Sequence, residues 1–113
     1  MSKLDEKVAK YIDDHKKKIG TEPDAALMRA VTKGCGPTIY KADAEKVSAG
    51  DKEEMERIKK NFLIKKLGLA DGPKLDEGLD ACVEQYGRSN RSKFRAVFYY
   101  LLVKHFKKAS VYS

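Results

Sequence analysis

The sequence predicts an all-α fold on three observations. Apolar residues recur at spacings of three and four along almost the whole chain, and no stretch alternates as a half-buried strand would. Gly, Pro and small polar residues break that pattern at intervals of helical length. A chain of 113 residues has room for one hydrophobic core. The expectation is therefore a compact single domain over residues 1–113, a bundle of five to six helices with the C-terminal helix at its centre.

Ser2 and Asp5 form a capping box that starts the first helix. Its broad apolar face carries Leu4, Val8, Tyr11, Ile12 and Ile19, and Gly20 ends it. Thr21 is the expected cap of the second helix, with Pro23 in its first turn, Leu27, Met28 and Val31 facing inward and Gly34 as its stop. The stretch 35–50 opens on Gly-Pro and holds a short Ile39/Tyr40 pair, which supports one or two short helical turns. Asp51 and Glu54 make a second capping box for one long helix through Met55, Ile58, Phe62, Leu63 and Leu67, closed by Gly68 and Leu69. After "ADGP", Leu75, Leu79, Cys82, Val83 and Tyr86 define a further helix that Gly87 terminates, and Ser89 or Asn90 is expected to cap the last one.

That last helix lies in "SNRSKFRAVFYYLLVKHFKK". At about 100° per residue, Phe94, Val97, Phe98, Leu101, Leu102, His105 and Phe106 cover one side, while Tyr99 and Val103 extend the apolar surface toward the back. A helix apolar nearly all round is a buried one, and His105 on its apolar face reads as a core histidine. The run is too short to span a bilayer and is broken by Arg95 and Lys104. The charge-mixed start is unlike a secretory or transit segment, so the expected location is cytoplasmic with no membrane role.

Charge is unevenly placed. Residues 1–87 hold 17 basic and 17 acidic side chains, whereas residues 88–113 hold seven basic and no acidic ones, which is the whole net charge of +7. Lys16, Lys17, Lys18, Lys65, Lys66, Lys104, Lys107 and Lys108 suit the last turns of their helices, where cations meet the negative end of the macrodipole. Arg88, Arg91, Lys93 and Arg95 gather instead at the expected start of the final helix, where positive charge is unfavourable. One compensation is a bound phosphate or carboxylate, held by these side chains and by backbone amides after Ser89 and Asn90. Tyr100, Lys104 and Lys107 share a stripe with Lys93 that would track a phosphate backbone if exposed. The alternative compensation is pairing with acids of other helices, such as those in "LDEGLD" or "KEEMER". No helix-turn-helix, zinc-finger or ribonucleoprotein motif points to nucleic acid independently.

Cys35, between two glycines, is the one residue with a hint of nucleophilic chemistry, but neither His15 nor His105 is placed by the sequence to serve as its base. It reads as a small residue in a tight turn, and Cys82 as a core residue. Two cysteines are too few for a disulfide framework and stand at no metal-ligand spacing with the histidines, so neither metal nor cofactor is expected. With no paired carboxylates and no phosphate loop either, no enzyme is expected.

The stretches "VTKGCGPTIYKADAEKVS", "NFLIKKLGLADGP" and "SNRSKFRAVFYYLLVKHF" resemble a family of small bacterial proteins known as a domain of unknown function, DUF2853. The resemblance covers nearly the whole chain and implies a helical single-domain protein, with no activity, cofactor or site residue attached. The functional expectation thus rests on the residues: a module recognising an anionic partner, either nucleic acid or an acidic protein, through the basic C-terminal region. The alternative is a protein-interaction or self-association module in which Tyr99, Tyr100 or the tail "ASVYS" supplies the apolar contact.

Overall fold

Helix α1 (Lys3–Ile19) begins where the sequence places it: Ser2 Oγ accepts from the Asp5 amide at 3.1 Å, and the Asp5 carboxylate accepts from the Ser2 amide. Gly20, at φ 89°, closes it in the left-handed conformation that glycine adopts without strain. The structure, a computed structural model, describes residues 2–112. Helix α2 (Ala25–Gly34) is capped by Asp24, which accepts from the Leu27 amide, and not by Thr21. A cap at Thr21 would require Glu22 to be helical, a conformation that the following Pro23 disfavours.

A short 3₁₀ turn over Gly36–Tyr40 carries Ile39 into the core. The chain then runs beside residues 93–95 in an isolated antiparallel bridge, with the Val47 amide donating to the Lys93 carbonyl at 2.8 Å and the Arg95 amide to the Glu45 carbonyl at 2.7 Å.

Helix α3 (Lys52–Ile58) is capped by Asp51, but the single long α-helix expected here changes pitch and continues as a π-helical segment over Lys59–Lys66. Its Leu67 amide reaches the Phe62 carbonyl, five residues back, at 2.9 Å. The wider turn buries the adjacent Phe62 and Leu63 together, Phe62 stacking on Tyr99 with ring centroids 4.0 Å apart. Gly68 ends the segment at φ 73°, and the Leu69 amide bonds back to the Leu63 carbonyl.

Helices α4 (Pro73–Tyr86) and α5 (Arg95–His105) complete the bundle. Helix α5 packs against α1, α2 and α4, and seven of its eleven residues are buried, among them Val97, Phe98 and Leu102 with no exposed surface. The all-α expectation with a central C-terminal helix is what the structure shows. Two details of that helix differ from it. The helix starts at Arg95 behind an uncapped Phe94, later than a cap at Ser89 or Asn90 requires, because the 93–95 backbone is held extended by its bridge to residues 45–47. His105 is exposed rather than a core residue, since the helix ends there and Phe106 turns inward in its place; Lys107 and Lys108 lie beyond the last turn, not in it. The buried histidine is His15, with Nδ1 2.9 Å from the Thr21 carbonyl and its ring edge-on to Tyr100.

Phe106 sets the approach of α4 to α5. A Cβ at Gly78, buried in α4, would stand 2.2 Å from Phe106 Cζ. Gly78→Ala is expected to cost about 1 kcal/mol, the overpacking strain outweighing the gain in helix propensity, and Phe106→Leu in the same chain should recover the loss. Denaturant unfolding of the single and double variants reads this directly.

Among the described residues no helix is long and apolar enough to cross a membrane, and no cluster of metal-ligating side chains occurs.

Candidate anion-binding site

The basic residues from 88 onward divide into two groups. Arg88 is paired with Asp80 and Glu84 of α4. Arg95, at the first turn of α5, gives Nη2 to Glu54 at 2.8 Å, Nη1 to the Tyr99 hydroxyl at 3.0 Å and Nε to the Ala44 carbonyl at 2.9 Å. Glu54 also takes Arg57 at 2.8 Å and so does not return the bond to Asp51 that a full capping box requires. Burial alone would raise the Glu54 pKa, but the two guanidinium groups outweigh it and hold the carboxyl below its ordinary value. For Arg88 and Arg95 the compensation is therefore acids of other helices.

Lys93 and Arg91 are different. Lys93 is 2% exposed, and its ammonium bonds to the carbonyls of Arg88 and Asn90 without a carboxylate among its partners in the described residues. Burial, reinforced by the Arg88 and Lys18 charges, lowers its pKa. Arg91 is exposed and has no acidic partner among the described residues. Asn90 holds the loop in shape: its amide donates to the Gly87 carbonyl, and its Oδ1 accepts from the Ser92 amide at 3.0 Å and from Lys18 at 3.3 Å. Those two donors fix the orientation of the side-chain amide. They leave Asn90 Nδ2 as the one buried side-chain nitrogen or oxygen without a hydrogen-bond partner among the described residues.

These groups meet in one pocket of about 270 Å³, lined by Arg88, Asn90, Arg91 and Lys93 on one wall and by residues 47–50 on the other. The bridge between 45–47 and 93–95 brings the two loops together, and the Phe94 ring anchors it between Tyr11 and the Lys10 ammonium. An anion here would receive a hydrogen bond from Asn90 Nδ2, pair with Arg91 and offset the buried Lys93 charge.

The other expected site residues lie elsewhere. Ser89 is exposed and outside the pocket lining. Tyr100 is buried, its hydroxyl accepting from the Asp24 amide at 2.8 Å. Lys104 is exposed on α5, and Lys107 follows the helix at φ 56°. With Lys93 inside and Tyr100 in the core, the basic stripe is not a continuous surface. Of the residues named for an apolar contact, Tyr99 is half-buried against Phe62 and Tyr112 is half-buried, which leaves Val111 exposed; Ser113 lies outside the described residues. Cys35 is half-buried, and burial pushes its thiol up to about 12, away from a reactive thiolate. The residues 47–50 had no signal in the sequence, because small side chains become a pocket wall only through the bridge.

A family model described as protein of unknown function (DUF2853) matches residues 10–110, which include every residue lining the pocket, and the chain belongs to that family. No curated protein matches it.

Proposed function

We propose that this DUF2853 chain is a cytoplasmic binding module, not a catalyst, that recognises an anionic group of its partner in the pocket between residues 47–50 and 88–93. The observation that carries the reading is Lys93, a buried ammonium with no carboxylate beside it among the described residues, next to the unpartnered Asn90 Nδ2 and to Arg91, which has no acidic partner there either. Isolated buried charge is costly, so a site that keeps one gains from an anion that supplies the missing counter-charge. The pocket is small and four of its lining residues carry side-chain N–H donors, which suits the compact, multiply accepting phosphate of nucleic acid better than the dispersed carboxylates of an acidic protein, the second candidate partner.

Thermal unfolding with inorganic phosphate and with mixed single- and double-stranded nucleic acid across a salt series tests this. Phosphate at about ten times its Kd should stabilise the wild type by about 1.4 kcal/mol, a rise of roughly 6 °C in Tm. Lys93→Met should have a Tm in anion-free buffer at least equal to that of the wild type and should lose the phosphate response, as should Arg91→Ala. Comparing variants removes the general stabilisation that excluded salts give every fold. Nucleic-acid binding that falls steeply with salt and needs Arg91 identifies the partner class. Equal phosphate stabilisation of all three proteins would overturn the site.

A further inference from the structure

A second cavity, of about 320 Å³, opens on a different part of the molecule, between the end of α2, the π-helical segment, the first turn of α5 and the terminal 3₁₀ turn Ala109–Tyr112. This is within the range of small-molecule sites. Phe62, Tyr99 and Tyr112 supply flat apolar wall, and Arg95 and Lys66 supply charge, with no acidic side chain among the described lining residues.

Each part is positioned by a specific contact. The π-helical segment brings Asn61, Phe62 and Lys66 to the wall of the same cavity. Phe62 is held by its stack on Tyr99. Tyr112 folds back over α2 against Gly34, where an added Cβ would meet its ring at 3.4 Å, and the Lys66 ammonium sits 5.1 Å from the centre of that ring. Arg95 has five N–H donors, and Ala44, Tyr99 and Glu54 use three of them. The two that remain belong to a guanidinium whose counter-ion, Glu54, is shared with Arg57, so the trio carries one excess positive charge.

We infer that this cavity binds a small molecule with a flat apolar body and one carboxylate, the body between Tyr99 and Tyr112 and the carboxylate toward Arg95 and Lys66. The walls select for the body through aromatic stacking, and the acid-free polar end selects against neutral and cationic analogues. The site shares no lining residue with the phosphate pocket, so the two readings stand or fall separately.

The probe is 2-naphthoate, titrated by calorimetry against the full chain, with neutral 2-naphthalenemethanol as its comparison. The wild type should bind naphthoate at least about tenfold more tightly than the alcohol. Lys66→Met, at an exposed position, should remove most of that preference, and Tyr112→Ala should weaken both ligands by about tenfold. Arg91→Ala should leave naphthoate binding unchanged. Amide shifts on titration should centre on Asn61, Lys66 and Tyr112. No binding of naphthoate at millimolar concentration overturns the inference, and so does equal binding of acid and alcohol by the wild type, or binding that survives both Lys66→Met and Tyr112→Ala in variants shown to be folded.

Discussion

Glu54→Ala is expected to lower stability by about 3 kcal/mol, seen as a fall of roughly 12 °C in Tm. Glu54 is 8% exposed and is the only acid among the described residues bonded to Arg95, whose side chain keeps 15% of its surface. Truncation leaves that guanidinium at the positive end of α5 with no counter-ion, the two penalties acting on one group. Removing the charge as well should reverse much of the loss, so Glu54→Ala/Arg95→Met should be more stable than Glu54→Ala alone. A double-mutant cycle that shows simple additivity would reject this account. The pair also shapes the response to acid. The Glu54 carboxyl is held below its ordinary 4.5 in the folded protein, so its contribution is present above that pH and is lost as pH falls through the folded value. Glu45 behaves likewise: burial opposes ionisation, but bonds from Tyr11 at 2.6 Å and from Lys7 and Lys10 outweigh it. Acid unfolding of the wild type should therefore steepen below about pH 4.5, and Glu54→Ala should show a shallower dependence there.

The features legible in the sequence are those decided within a few residues. Ser2 and Asp5 cap α1 through a contact three residues long, Gly20 and Gly68 end their segments because the backbone there is left-handed, and the apolar content of α5 implies burial on every side. What escaped the sequence depends on partners distant along the chain. A wheel of fixed pitch cannot foresee that the chain after Ile58 takes a wider turn so that Phe62 can meet Tyr99, thirty-seven positions on. The same wheel placed His105 inward, whereas His15 follows Tyr11 by four residues and shares its buried face, a signal present in the sequence but weaker than the apolar run around His105. The candidate site was half legible. An acid-free run of seven cations pointed to an anion or to borrowed acids: α4 and α3 supply acids to Arg88 and Arg95, while Lys93 and Arg91 have no acidic partner among the described residues. Which cation belongs to which group is decided by the bridge between residues 45–47 and 93–95, a pairing that no local pattern announces.

Phe98→Ala should cost about 4 kcal/mol, near the upper end for a core truncation. Phe98 has no exposed surface and stands in the helix that α1, α2 and α4 all pack against, so the space its ring leaves is bounded on every side by other elements and cannot collapse by a local adjustment. The substitution removes apolar burial and leaves a cavity, whereas Phe98→Leu keeps most of the volume and should cost only about 1.5 kcal/mol. Urea unfolding with an unchanged m-value is the measurement, since a lower m-value would signal a loosened native state in place of a simple loss of packing. A loss under about 2 kcal/mol for Phe98→Ala would mean that the bundle can close over the gap and that α5 is less central than its burial implies. Phe98 lines neither cavity, so the folded fraction of Phe98→Ala should still respond to phosphate as the wild type does. Loss of that response at temperatures where the variant is folded would show that the loop around Lys93 is held by the packing of α5 and not by the bridge and the Phe94 anchor alone.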